Sequence, residues 1–258
     1  MVDRKGHETL VIKMVFQGGK TRQAKHIATI VNKCIKENNI INYYEPFVGG
    51  ANIIQQINCN NLFANDLDEE LIAFYQYIKE GGLPVDFVSK EQYNDAKNNP
   101  QKYDAWYRGN IKYMASFGGK PWGGYSGIDK RYGYTKYEGS VKNFKKQIPK
   151  LQEINFTCGD YSNINFKPNS MIVCDPPYRN TTQYGKIKFD SNKFDNWFKE
   201  VSKEHFVILC EYTAPTDFTC FKKINVAKCL SANDNQSRTV DGLWYCDGKF
   251  KDWYENKE

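Results

Sequence analysis

Asp175, Pro176 and Tyr178 stand together in the run Met171-Ile172-Val173-Cys174-Asp175-Pro176-Pro177-Tyr178. An ionised aspartate only accepts hydrogen bonds, a proline offers a carbonyl but no N–H, and a tyrosine offers a flat face. These groups suit a planar amine, with two acceptors for its two hydrogens and an aromatic platform for its ring. The four apolar residues before them read as a buried strand that the prolines end abruptly. The Asp-Pro-Pro-Tyr segment is therefore expected at the carboxyl edge of an open α/β sheet, where such sheets place their ligands.

Other stretches are expected to carry groups to the same edge. Val11 to Phe16 reads as a short strand, followed by Gln17-Gly18-Gly19-Lys20 and a helix to about Glu37. Glycines before a helix free backbone N–H groups for an anion, and Lys20 stands at that mouth. Asn42 to Glu45 reads as a strand leading into Pro46-Phe47-Val48-Gly49-Gly50-Ala51-Asn52, with a helix expected through Ile53, Ile54 and Ile57. This turn lacks the G-x-G-x-x-G pattern and the Lys-Ser/Thr of a phosphate-binding loop, so nucleotide triphosphate and nicotinamide readings lose ground. A strand at Asn61 to Ala64 ends in Asp66, at the place where an acid commonly accepts ribose hydroxyls. Capping the helix Glu69 to Lys79 is the alternative role for Asp66. A strand at Glu153 to Cys158 closes on Gly159-Asp160, where Asp160 is either a third acid of the cleft or a turn residue. Arg179 to Gly185 suits a polar lid. Asn192 to Val201 reads as a helix, Phe206 to Cys210 as a buried strand, and Cys220 to Leu230 with Gly242 to Asp247 as a terminal hairpin. The connector Ser231 to Arg238 is expected to be mobile, and the charged end from Lys249 to fray.

The 258 residues are 40% hydrophobic, with 18 Tyr and 16 Phe, enough for a sizeable core. No apolar run is long enough to span a membrane, and no secretory signal follows Met1, so a cytoplasmic location is expected. The eight cysteines form no C-x-x-C pair and read as buried reduced thiols; with three histidines they suggest no metal site. The net charge of +6 is concentrated. Lys120, Lys130, Arg131, Lys136, Lys142, Lys145, Lys146 and Lys150 face only Asp129 and Glu138, so this stretch alone carries the whole formal excess. Around it, Ser89 to Phe117 is helical and aromatic-rich, and Gly118 to Tyr137 mixes glycines, aromatics and cations. Helical order is expected to resume near Val141 and run to Leu151. Interleaved cations and aromatics suit a surface that grips phosphates and meets nucleobases.

In that order, Glu45-Pro46-Phe47-Val48-Gly49, Asp66, Asp160 and Asp175-Pro176-Pro177-Tyr178 resemble the Dam-like adenine DNA methyltransferases of the alpha arrangement. The resemblance runs from Phe16 to about Tyr245. It implies a Rossmann-like class I methyltransferase sheet formed by 1–84 and 151–258, with a mostly helical target-recognition insert at 85–150. It further implies S-adenosylmethionine as cofactor, held by Phe16, Lys20, Phe47, Gly49, Asp66 and Asp160. Asp175 would meet both the cofactor and a flipped adenine of double-stranded DNA, with Pro176 and Tyr178 completing the catalytic corner. Lys120, Lys130, Arg131, Lys142, Lys145 and Lys146 would contact the DNA. Two positions depart from the pattern: Phe16 stands where tryptophan is common, and Ala51 where a glycine is. Cytosine-N4 methyltransferases usually carry serine, and protein-glutamine methyltransferases asparagine, before Pro-Pro-Tyr. An RNA adenine methyltransferase and a non-catalytic nucleic-acid-binding protein on the same fold remain alternatives. GATC is the family-level expectation for the recognition site, and a companion restriction endonuclease is a further expected partner.

Overall fold

Past the Gly18-Gly19 turn, apolar residues recur at helical spacing and form α1 (Ala24–Glu37), which buries Ala24, Ile27, Ala28, Val31, Cys34 and Ile35. The structure is a computed structural model, which describes residues 16–129, 134–179, 189–226 and 239–256. The expected strand at Val11 to Phe16 falls outside these residues apart from Phe16, which is in no strand. Also outside are Lys130, Arg131, the proposed lid from Asn180 on, Cys229 and the connector Ser231 to Arg238.

β1 (Asn42–Glu45) and β2 (Asn61–Asp66) come next as parallel neighbours, with Asn42 opposite Asn61 and Glu45 opposite Ala64. The helix expected between them is only a 3-10 turn, Ile54–Gln56. Gly49 (φ +44°) and Ala51 (φ +52°) carry the turn forward in left-handed backbone, which leaves too few residues for a helix before β2. α2 (Glu69–Lys79) is capped by Asp68, whose side chain accepts the Leu71 N–H at 3.0 Å. The cap is thus Asp68, and Asp66 remains the last residue of its strand. α3 (Lys90–Asn98) and α4 (Ala105–Met114) divide the aromatic-rich stretch, and a two-residue ladder pairs β3 (Ile128–Asp129) with β4 (Tyr134–Thr135).

Helical order then resumes earlier than expected, as α5 (Lys136–Lys145), followed by α6 (Ile148–Leu151). A capping box starts α5: Thr135 accepts the Glu138 N–H and Glu138 reaches back to the Thr135 N–H. Buried Tyr137, donating to the Val85 carbonyl at 2.6 Å, anchors its first turn. β5 (Ile154–Cys158), β6 (Ser170–Cys174), α7 (Ser191–Glu204), β7 (Phe206–Glu211), β8 (Thr219–Val226) and β9 (Thr239–Tyr245) complete the sheet, in the order β5-β2-β1-β6-β7-β9-β8. β1, β2, β6 and β7 run parallel; β9 is antiparallel to β7 and to β8. β6 and β7 are buried along their whole length, as expected for strands covered on both faces.

The charged end does not fray: it forms α8 (Lys249–Glu255). Phe250 is buried there against Tyr245 and Phe221, and the Trp253 indole donates to Glu37 at 3.0 Å. Aromatics at helical spacing outweigh the charge of the segment. The cysteines are free thiols where described, but only Cys34, Cys174, Cys210 and Cys246 are buried; Cys158 is exposed. No helix among the described residues is long and apolar enough to cross a membrane.

Two compact units make up the chain. One comprises the chain up to Thr21, Gly49–Gln55 and Asp68–Cys158; the other comprises Arg22–Val48, Gln56–Leu67 and the chain from Gly159. The expected insert at 85–150 lies within the first unit. There α4 crosses α2 so closely that a Cβ on Gly109 would sit 1.9 Å from the Glu70 carbonyl. Gly109→Ala gains up to about 1 kcal/mol of helix propensity, but the overlap costs about 1–3 kcal/mol or more. The variant is therefore expected to melt below the wild type in a thermal scan; an unchanged or higher midpoint would contradict this packing.

Candidate active site

Parallel strands that run in register bring their last residues to one edge. In the second unit those residues are Glu45 of β1, Asp66 of β2, Asp175 directly after β6, and Glu211 of β7. Four neighbouring strands thus end in carboxylates. Asn65 fastens this edge: its side-chain amide donates to the Pro46 carbonyl at 3.2 Å and to the Gly159 carbonyl at 2.8 Å. The Gly159 N–H in turn donates to the Asp66 carbonyl.

Cys174 and Pro176 are buried and Asp175 is half-buried, so the carboxylate stands where the strand gives way to solvent. Tyr178 is only 9% exposed. Its hydroxyl donates to Asp241 of β9 at 2.9 Å, and Asp241 also accepts from the Gln23 amide at 3.0 Å. Burial, chiefly, with the Asp175 charge adding, holds the Tyr178 hydroxyl well above the usual phenol range. Tyr212, 40% exposed, packs at 86° to Tyr178 with ring centroids 4.4 Å apart. The aromatic surface most open at this corner therefore belongs to Tyr212.

Asp160 is pinned locally. Its carboxylate accepts from the Ser162 N–H at 2.9 Å and from the Ser162 hydroxyl, capping a 3-10 turn, with Lys193 at 3.8 Å. Those hydrogen bonds hold its carboxyl below the usual range. Phe47 packs among Tyr161, Phe189 and Phe194.

In the first unit the two glycine turns close on one another. A Cβ on Gly50 would lie 2.7 Å from the Phe16 Cβ and 2.8 Å from the Asn52 amide nitrogen; one on Gly19 would lie 2.8 Å from the same nitrogen. Only glycine permits that approach. Phe16 stacks on Tyr113 at 5.0 Å, so the ring that stands in place of tryptophan has an aromatic neighbour of its own. Lys20 is buried, with its ammonium 3.4 Å from the Gly18 carbonyl. Ala51 holds left-handed backbone that a glycine would take without strain, at a cost of about 1–2 kcal/mol. Buried cation, glycine turns and aromatic ring match a ligand with a carboxylate and a planar base. The strand-end acids of the second unit, taken by themselves, match ribose hydroxyls and a sulfonium, so each unit carries groups of the chemistry that S-adenosylmethionine needs.

Residues 16–108 match the family model of the D12 class N6 adenine-specific DNA methyltransferases. The match takes in both glycine turns, Lys20 and Asp66. The likeness to that family is carried by this part of the chain. Type II methyltransferase M.MjaIII of Methanocaldococcus jannaschii is 24% identical over 277 residues, covering 89% of this chain and 95% of that protein. The DNA adenine methylase of Vibrio cholerae serotype O1 is 26% identical over 155 residues, covering 52% of this chain and 55% of that protein. Among solved structures, SMU.472 complexed with SAH aligns at a TM-score of 0.33 and 13% identity, over 91% of this chain and 56% of that one. Both the methylase and SMU.472 are thus matched over only about half their length. The family match and the two methyltransferase relatives support S-adenosylmethionine-dependent methylation of the adenine N6 amine in DNA.

Reading the residues alone missed Glu211 and Asp241. Glu211 carried the signal that marked its neighbours, an acid directly after an apolar run; Asp241 carried none, because only the β7–β9 pairing brings it to Tyr178. Of the basic residues, Lys120, Lys142 and Lys146 are exposed, whereas Lys145 is held by Asp86 at 2.6 Å and Lys150 by Glu153 at 2.7 Å. The insert's aromatics are largely packing groups: buried Tyr93 holds Trp122 and Tyr125, and Arg108 lies 5.2 Å from the Trp122 ring. Phe87 and Phe117 are exceptions, 54% and 63% exposed, the latter with the Lys136 ammonium 5.0 Å from its ring.

Proposed function

We propose that Asp175, Pro176 and Tyr178 carry the methyl transfer, that Phe16, Lys20, Phe47, Gly49, Asp66 and Asp160 hold the cofactor, and that the exposed cations of 85–150 grip DNA. The observation that carries this reading is the half-buried Asp175 standing at the end of a fully buried strand, with the Pro176 carbonyl one residue on. Bound S-adenosylmethionine supplies an electrophilic methyl group. The adenine N6 amine is a poor nucleophile because its lone pair is delocalised into the ring. Accepting its two N–H bonds, the Asp175 carboxylate and the Pro176 carbonyl favour a tetrahedral nitrogen and aim the lone pair. Asp175 then takes the proton the amine sheds. Orientation and fixed charge do the work, with no covalent enzyme intermediate. The target base must leave the duplex, which costs a few kcal/mol of unstacking, and the Tyr178–Tyr212 corner offsets part of it.

Asp160, already committed to Ser162, would meet the cofactor adenine with its remaining oxygen. The name of M.MjaIII as a type II methyltransferase supports a restriction–modification role with a companion endonuclease, and the expected location is the cytoplasm.

Incubating the protein with unmethylated DNA and labelled cofactor, then separating the nucleosides, tests the reading. Label is expected in N6-methyladenine. Label in N4-methylcytosine would favour the cytosine alternative, and label on the protein alone a binding module. For the DNA surface, replacing Lys142 or Lys146 by Gln is expected to flatten the slope of log affinity against log salt by about 0.9, one phosphate contact. Lys145→Gln should change it less, because Asp86 already neutralises that charge. Unchanged slopes at Lys142 and Lys146 would remove them from the interface.

A further inference from the structure

Glu211 is 1% exposed, yet neither the acceptor corner nor the cofactor groups make use of it. One carboxylate oxygen accepts the backbone N–H of Arg179 at 2.5 Å, and the other accepts the backbone N–H of Tyr212 at 2.6 Å. Arg179 directly follows the Asp175-Pro176-Pro177-Tyr178 turn, whose two prolines contribute no N–H with which to join the sheet. Glu211 therefore ties the exit of the β6 turn to the exit of β7. The Arg179 guanidinium is spoken for elsewhere: it pairs with Asp195 of α7, and its Nε lies 3.8 Å from Glu211 without a hydrogen-bond partner among the described residues.

We propose that Glu211 is a positioning residue for methyl transfer. By accepting both N–H groups its carboxylate fixes where Asp175, the Pro176 carbonyl and the Tyr178–Tyr212 corner stand. The proposal rests on the methyl-transfer reading of that corner. It requires the ionised form, since a protonated carboxyl keeps one acceptor and turns the other oxygen into a donor facing an N–H. Burial, chiefly, pushes this group up to about 7, with the Asp175 charge adding to the rise and the two N–H groups and Arg179 opposing it. Arg179 and Asp175 are the charged groups that bear on it, and Asp195 acts on it through Arg179.

Activity and stability then move in opposite directions. Because folding raises the pKa of this group, its contribution to stability is full below the unfolded value and is lost as pH rises through about 7. Its contribution to catalysis appears over that same rise. A loss of rate on acidification caused by unfolding would instead be accompanied by a falling melting temperature.

The test is single-turnover methyl transfer to unmethylated DNA between pH 6 and 8.5, for wild type and Glu211→Gln, with cofactor affinity and melting temperature measured at each pH. The wild-type rate is expected to fall about tenfold from pH 8 to pH 6, as one proton binds, without a matching drop in melting temperature. Glu211→Gln is expected to lose at least about tenfold in rate at pH 8, to bind cofactor within about threefold of wild type, and to show no acid limb. Glu211→Asp, a carboxylate one methylene shorter, should fall between the two. A variant with the wild-type rate and an unchanged acid limb overturns the proposal. So does a flat wild-type profile, which decides the matter even if Glu211→Gln does not fold. Wild-type protein that transfers no methyl at any pH overturns the methyl-transfer reading itself.

Discussion

A buried strand that ends in an acid and two prolines cannot pass its last residues to a neighbouring strand. β6 pairs with β1 as far as Ile172 and with β7 as far as Cys174 and then stops, because neither Pro176 nor Pro177 has an N–H for the ladder. The chain must leave the sheet at a fixed point, with Asp175 at the threshold between a buried strand and solvent. The rest of the second unit supports that point. Asn65 fastens the neighbouring strand ends, Asp241 holds Tyr178, and Glu211 holds the backbone beyond it. Under the proposed methyl transfer the acceptor pair has to be rigid before the amine arrives, and these contacts supply that rigidity.

Gathering carboxylates at one edge has an energetic cost that the edge itself partly offsets. Glu45 accepts the Tyr43 hydroxyl at 2.7 Å, Asp160 accepts from Ser162, and Asp241 accepts from Tyr178 and Gln23. Burial, chiefly, with the Asp175 charge adding, pushes the Glu211 carboxyl above the usual range. Negative potential concentrated there favours a cationic sulfonium and disfavours a phosphate.

Much of this was legible in the residues because the elements that build the edge are strongly patterned. Met171–Cys174 and Phe206–Cys210 are continuous apolar runs, α1 repeats at helical spacing, and the acids come directly after their strands. Where the residues misled, local chemistry had overridden pattern. The run through Ile53, Ile54 and Ile57 looks helical, but left-handed backbone at Gly49 and Ala51 uses up its length. The start of α5 is set by the Thr135–Glu138 box and not by hydrophobic period. The charged C-terminal segment folds because Phe250, Trp253 and Tyr254 share a face, which net charge conceals. Asp241 could not be found from spacing at all, since its partner Tyr178 is distant in the chain and meets it only through the strand order.

The central claim is that the Asp175 carboxylate acts on the target amine and is dispensable for holding the cofactor. Asp175→Ala, compared with wild type for methyl transfer to DNA and for S-adenosylmethionine affinity, tests it most directly. Loss of transfer by about 10²–10³-fold or more, with cofactor affinity largely kept, is the predicted result. Near-normal turnover in that variant would contradict the account.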